Sequence, residues 1–231
     1  MQAPSCAAVI VAAGSSRRMG FDKLAAPLAG MPVLRRTVEA FLAAESISRI
    51  VIVGPPERRG LLDGLEAEKP VDFTDGGAER ADSVARGLAA LPDDIAFAAV
   101  HDGARPLIAP QEIDRCVSEA ILHGAAALAR RATETMKRSD SVNFCAAAVD
   151  RENLWFMETP QVARVADLRS CLEAGKSQGV VLTDEVSALQ AGGLRVKFVE
   201  SRFPNPKITT PADLEWAEAL LAGRERPPGG P

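Results

Sequence analysis

Ala7-Ala8-Val9-Ile10-Val11-Ala12-Ala13-Gly14-Ser15-Ser16-Arg17-Arg18-Met19-Gly20-Phe21-Asp22-Lys23 runs from an apolar segment straight into a basic loop. Ala7–Val11 carries no charge and reads as a strand buried on both faces. The loop after it is built of small residues and holds Arg17, Arg18 and Lys23. In α/β folds, phosphates bind where a buried parallel strand ends in such a loop. Small side chains let backbone N–H groups approach the anion, and fixed cations neutralise it. Two familiar phosphate loops do not fit. The dinucleotide fingerprint needs G-x-G-x-x-G, but Ser15 and Ser16 follow Gly14 and the next glycine is Gly20. The P-loop needs a second glycine where Met19 stands, and a serine or threonine where Leu24 follows Lys23.

The chain has 231 residues, of which 47% are apolar, enough for one large α/β domain with an appendage. Net charge is −4, from 27 basic and 31 acidic residues. That balance offers no basic field to a polyanion and argues against nucleic acid as a partner. Local basic clusters are therefore read as sites for small anions. Cys6, Cys116, Cys145 and Cys171 are widely separated with no CxxC pair, which points to a reducing compartment without zinc or a disulfide framework. No apolar run reaches membrane length and no signal-peptide pattern opens the chain, so the expected location is the cytoplasm, with no membrane partner.

Strands alternate with helical patterns for most of the length, which predicts a mostly parallel sheet with helices on its faces. After Ala7–Val11, Pro32 opens a helix through Leu42 with proline in its first turn. Arg49–Val53 is the second strand and Glu57–Glu68 a polar helix. Val71–Thr74 is the third strand. It ends at Asp75-Gly76-Gly77, ahead of a helix with Val84, Leu88 and Leu91 on one face. There Gly76, Gly77, Arg80 and Ser83 are candidate donors to a base or phosphate. Ala96–Val100 is the fourth strand, running into His101-Asp102-Gly103-Ala104-Arg105-Pro106. Asp102, just past the carboxyl end of a central strand, is a candidate magnesium anchor, since Mg²⁺ favours one or two carboxylates plus phosphate oxygens. His101 reads as a structural residue. Pro110–His123 is a helix and Ala125–Ala129 the fifth strand.

Residues 131–159 break the pattern. Two short extended segments about Ser139-Asp140-Ser141 predict a projecting β-hairpin, although Ala146-Ala147-Ala148 is poor strand material. A hairpin of this size cannot bury a core alone, and a second copy of the chain is the simplest surface for it. Val165–Lys176 is helical, and Thr183 or Asp184 caps a helix beginning near Glu185. Arg195–Glu200 is the last strand. Lys207 lies in a proline-flanked loop before the final helix, Pro211–Leu221. Residues 226–231 are expected to be a disordered tail, and 1–225 one domain.

A-A-G-S-S-R-R-M with Lys23, D-G-G-A-E-R-A-D-S-V, V-H-D-G-A-R-P, T-M-K-R, V-D-R-E-N-L-W, T-P-Q, L-T-D-E and N-P-K-I-T-T-P-A-D-L follow one another from about Ala8 to Leu214. In this order the chain resembles the 2-C-methyl-D-erythritol 4-phosphate cytidylyltransferases of the non-mevalonate isoprenoid pathway. The resemblance implies a Rossmann-like α/β nucleotidyltransferase domain with a projecting β-hairpin arm. It implies that Ala12, Ala13, Gly14, Arg18 and Lys23 hold the CTP triphosphate, with Arg18, Lys23 and Lys207 catalytic. Asp75, Gly76 and Ser83 would surround cytosine and ribose, and Asp102 would face nucleotide, Mg²⁺ and acceptor. Arg105, Thr183 and Lys207 would gather the polyol phosphate. Thr135 and Arg151 on the arm would reach a partner's site in a homodimer. Two positions depart from the family: Leu24 stands where glutamine is usual, and Asp22 where proline is common and where an acid softens the local positive field.

The chemistry implied is attack of a phosphate oxygen on the α-phosphorus of CTP. A phosphomonoester, with a second pKa of about 6, is already ionised and needs no base. With only His101 and His123 in the chain, and with Arg18, Lys23, Arg105, Arg151 and Lys207 at expected loops, cations carry the work. A ribitol 5-phosphate cytidylyltransferase shares the nucleotide motifs. A guanylyltransferase of the molybdenum-cofactor type shares Gly20-Phe21-Asp22-Lys23. A nucleotide-binding module without turnover needs the first loop but not Asp102, Lys207 or an arm.

Overall fold

The computed structural model describes residues 4–14 and 20–224. Strand β1 (Cys6–Val11) leads, after the first loop, to a small antiparallel pair, β2 (Pro27–Leu28) and β3 (Met31–Pro32), and then to α1 (Val33–Ala43). Strand β4 (Ile47–Val53), a 3-10 helix (Pro56–Leu62), β5 (Val71–Thr74) and α2 (Arg80–Ala89) follow. Next come β6 (Phe97–Asp102), α3 (Pro110–His123) and β7 (Ala125–Arg131). The arm is β8 (Met136–Ser139) and β9 (Cys145–Val149). The chain closes with β10 (Trp155–Arg164), α4 (Val165–Ser177), α5 (Glu185–Ala191), β11 (Lys197–Glu200) and α6 (Pro211–Arg224).

Seven strands form the main sheet in the order β11-β7-β10-β6-β1-β4-β5. Only β10 runs antiparallel to its neighbours β6 and β7; every other pairing in the sheet is parallel. Alternation along the central strands divides the core. Ala8 and Ile10 of β1, with Ile50 and Ile52 of β4, pack on the layer that includes α1 and α3. Ala7 and Val9, with Val51 and Val53, pack on the layer of α2, α4 and α5. Side chains at successive strand positions point to opposite faces, so an unbroken apolar run fills both layers. Helix α2 lies so close to the sheet that a Cβ on Gly87 would sit 2.4 Å from Val9 Cγ1. Among the described residues no helix is long and apolar enough to cross a membrane.

Four expectations need correction. Pro32 precedes α1 as its N-cap residue and is not inside the first turn. The polar helix expected over Glu57–Glu68 is a 3-10 helix ending at Leu62, with Gly60 within it and Gly64 just beyond it at φ +71°, which removes α-helical continuity. His101 and Asp102 are the last residues of β6, not a loop beyond it. The hairpin is shorter than residues 131–159: Arg131 belongs to β7 and Trp155–Thr159 to β10, both in the main sheet. Ala147 and Ala148 do pair with Arg138 and Lys137 as part of β9, and Ala146 falls at the register shift before them. A ladder needs only extended backbone, which alanine supplies despite low strand preference.

Candidate functional site

The carboxyl ends of β1 and β6 meet in register, Val11 opposite Asp102. The Gly103 N–H donates to the Val11 carbonyl at 2.9 Å and the Ala12 N–H to that of Val53 at 2.7 Å. The two loops leaving these strands are thus fixed against each other, and between them opens a cavity of about 210 Å³. Ala12, Ala13, Gly14 and Lys23 form one wall, as expected of the first loop. Ser83, Asp102 and Lys207 complete it. Arg18 lies outside the described residues. Asp75 and Gly76 do not line the cavity; Gly76 packs behind it, where a Cβ would come within 2.4 Å of Ala13 Cβ. Gly77, Ala78, Glu79 and Arg80 take the place expected of those two. Ser83 is buried, accepting from the Gly77 N–H at 3.0 Å and donating to the Glu79 carbonyl at 3.1 Å, so it fixes the glycine turn.

Asp102 is 7% exposed and is ringed by cations. Arg80 Nε is 3.3 Å from one carboxylate oxygen; Lys207 Nζ at 3.0 Å and Arg105 Nε at 3.5 Å face the other. Burial pushes the carboxyl up, but Arg80, Lys207 and Arg105 outweigh it and hold Asp102 well below the usual carboxylate range. Arg80 is itself gripped in a two-pronged pair by Glu185, at 2.6 and 3.0 Å. Burial alone would lower the guanidinium; Glu185 and Asp102 reverse that and push it up. The bidentate geometry also sets the orientation of Arg80. Glu185 is 1% exposed and stands at the first position of α5. Asp184, not Thr183, caps that helix, accepting from the Ser187 N–H at 2.9 Å. Thr183 is exposed on the same loop, two residues before Glu185.

His101 is buried and completes the support. Its Nε2–H donates to the Arg105 carbonyl at 3.2 Å. Its Nδ1 accepts from the Thr159 hydroxyl at 2.9 Å, whose oxygen accepts from the Asp102 N–H at 3.2 Å. A carbonyl and a backbone N–H leave only one consistent tautomer, the neutral ring with its proton on Nε2. Burial pushes the imidazole down to about 3, with Asp102 partly opposing.

A second cavity, of about 630 Å³, lies beside the first and shares Lys207 with it. Arg105, Arg130, Glu158, Asn205 and Trp216 are among its walls. The C-terminal loop is tied to both sites: Arg105 donates to the Asn205 carbonyl at 2.7 Å, and Lys23 to that of Ile208 at 2.8 Å. Thr135 and Arg151 lie on the exposed arm, apart from both cavities, with Arg151 bonded to the Thr133 carbonyl at the arm's base. Val142 and Phe144 at its tip are 66% and 72% exposed. Sequence reasoning named Arg80 only as a candidate donor to a base or phosphate, not as the partner of Asp102 and Glu185, and gave no role to Glu185 or Thr159. Arg80 and Glu185 are 105 positions apart, and only the fold pairs them.

The donors converge on the two cavities. Small-residue backbone and Lys23 face one cavity, Arg105 and Arg130 the other, and Lys207 both. A sequence model of the family described as 2-C-methyl-D-erythritol 4-phosphate cytidylyltransferase matches residues 6–223. A protein of that name from Prochlorococcus marinus (strain MIT 9313) is 42% identical over 221 residues, covering 94% of this chain and 98% of its own. One from Geobacillus kaustophilus (strain HTA426) is 38% identical, covering 94% of this chain and 97% of its own. Among solved structures, the Thermus thermophilus protein of that name superposes with a TM-score of 0.78 at 30% identity, covering 94% of this chain and 99% of its own. A synthase from Anaerococcus prevotii reaches a TM-score of 0.84 over 95% of this chain and 97% of its own; at 23% identity it speaks for the fold. The chain belongs to the 2-C-methyl-D-erythritol 4-phosphate cytidylyltransferase family of nucleotidyltransferases.

Proposed function

We propose that this chain joins CTP to 2-C-methyl-D-erythritol 4-phosphate, forming 4-diphosphocytidyl-2-C-methyl-D-erythritol and pyrophosphate. The observation that carries the reading is Lys207, held by Asp102 at 3.0 Å and bordering both cavities. A cation so placed faces both anions that the reaction must bring together. The triphosphate would lie along Ala12–Gly14 and Lys23, joined by Arg18, with the base and ribose near Gly77, Ala78 and Ser83. The acceptor phosphate would be gathered by Arg105, Lys207 and Thr183. Its ionised oxygen attacks the α-phosphorus and pyrophosphate departs, with no proton to remove. Lys23, Lys207 and Arg18 would stabilise charge spreading over the transferring group, the largest contribution a protein makes to such a transfer.

Asp102 fits a magnesium ion to a limited extent. It is ionised and lines the nucleotide cavity, but both its oxygens already face cations. It would supply one carboxylate oxygen, with triphosphate oxygens supplying others, the mixed set that Mg²⁺ accepts. The ion, when bound, would share the charge of the triphosphate. Two copies would pair through their arms, with Thr135 and Arg151 of one completing the acceptor site of the other. The exposed Val142 and Phe144 support that reading.

The test is pyrophosphate release with Mg²⁺, CTP or GTP, and 2-C-methyl-D-erythritol 4-phosphate, ribitol 5-phosphate or no acceptor. Release only with CTP and the methylerythritol phosphate is expected. Release only with ribitol phosphate moves the acceptor, and release only with GTP overturns the nucleotide. Lys23→Ala and Lys207→Ala should fold normally and lose about 10–100-fold or more in turnover, the size of one lost charge-assisted hydrogen bond.

A further inference from the structure

Arg58 is buried although it follows β4 in a 3-10 helix of mixed polar composition. Its guanidinium forks onto Asp22, Nε at 3.1 Å from one carboxylate oxygen and a terminal nitrogen at 3.0 Å from the other. That terminal nitrogen also donates to the Gly14 carbonyl at 2.9 Å. The other terminal nitrogen is buried without a hydrogen-bond partner among the described residues. Buried donors are nearly always paired, so this guanidinium is held at some cost in stability. Gly14 and Lys23 are both walls of the nucleotide cavity. Asp22 immediately precedes that lysine and shapes its turn. Its carboxylate accepts from the Leu24 N–H at 3.1 Å and its carbonyl from the Ala25 and Ala26 N–H groups, each at 3.1 Å.

We propose that Arg58 and Asp22 are a brace for the triphosphate site: one guanidinium, from a segment outside the cavity, fixes Gly14 and the turn carrying Lys23 relative to each other, and covers the charge of Asp22. Arg58 and Asp22 are positioning residues. They act through Gly14 and Lys23, which face the phosphates. The arrangement also explains how an acid stands beside the phosphate-facing lysine. Alone it would repel a polyanion; forked by Arg58 it is neutralised and becomes a strut. The inference rests on the cavity taking a nucleoside triphosphate.

The probe is inorganic tripolyphosphate, which carries the phosphates without a base, titrated calorimetrically into the native chain and its variants. Arg58→Met should weaken binding about tenfold, the effect of one lost charge-assisted hydrogen bond together with a carboxylate that has lost this guanidinium. Asp22→Asn in that background should recover it to within about threefold, because the repelling charge is gone. The two variants should share one lowered melting temperature, so recovery of affinity without recovery of stability separates covering of the Asp22 charge from mere support, and the shortfall from native affinity reads the lost positioning of Gly14 and Lys23. If Arg58→Met does not fold, Arg58→Lys keeps the charge and loses the fork, and should weaken binding at least about threefold. Native affinity in the folded Arg58 variants, no recovery in the double variant, or no binding of tripolyphosphate by the native chain overturns the brace. Tripolyphosphate binding without turnover of CTP would instead fault the cytidylyl reading and leave the brace standing.

Discussion

The cluster around Asp102 and the β8–β9 arm stand at opposite extremes within one chain. At Asp102 each charge is met internally: Glu185 holds Arg80, Arg80 and Lys207 hold Asp102, and Thr159 and His101 hold the backbone beneath. Along the arm nearly every residue from Lys137 to Ala148 is exposed, and its ladder is two strands wide. A two-stranded ribbon is marginal by itself in water. The Asp102 cluster is pre-organised within the chain, whereas the arm's apolar tip stays exposed. Order at a site costs conformational entropy whenever it is imposed. The Asp102 cluster meets that cost on folding; in the proposed dimer the arm would meet it on association.

The largest effect that breaks this contrast is at Glu185. Glu185→Ala should destabilise the chain by up to about 3 kcal/mol, because it leaves Arg80 charged, half-buried and held only by Asp102. Chemical denaturation reads this directly; a loss below about 1 kcal/mol would mean that the cluster is held by Asp102 alone. A smaller effect sits at His101. Its folded value of about 3 lies below the unfolded value of about 6.5, so the stability it contributes is whole above that unfolded value and is lost as pH falls toward 3. From pH 6.5 to 5 the native chain should lose about 1–2 kcal/mol from this group. His101→Gln should flatten that limb, and an identical limb in both proteins would show the ring to be solvated. The smallest effect sharpens the other side of the comparison. Phe144→Ser at the arm tip should change stability per chain by no more than about 0.5 kcal/mol, while sedimentation at micromolar concentration shifts toward single copies. Unchanged sedimentation would remove the tip from the interface.

Much of this was readable from the sequence, for identifiable reasons. β1 is an apolar run ending in glycine, and α3 spans Pro110–His123 as expected because proline opens it and Gly124 follows at φ +91°. Strand β10 was not readable. Pro160 and the polar Glu158, Thr159 and Gln161 hide its periodicity, and proline argues against an interior strand. The sheet tolerates them because the register with β7 shifts between Met157 and Gln161. The irregularity is put to use, since it is where Thr159 reaches His101 and Asp102. The site divides the same way. Lys23, Asp102 and Lys207 stood out as charges in loops or at strand ends. The partners that orient them did not, because Arg80 meets Glu185, and Arg58 meets Asp22, only once the sheet has formed.

The bond from Lys23 to the Ile208 carbonyl joins segments 185 positions apart. During synthesis the strands from β1 to β10, and the helices between them, leave the ribosome before Ile208 is made. A nascent chain can therefore possess most of its sheet and the whole first loop while Lys23 still has no Ile208 to hold it and Asp102 no Lys207. The proposed nucleotide site would be completed only when Lys207 and Ile208 arrive. A chain released before them would carry the residues of β1 to β10 and the first loop with that site unfinished.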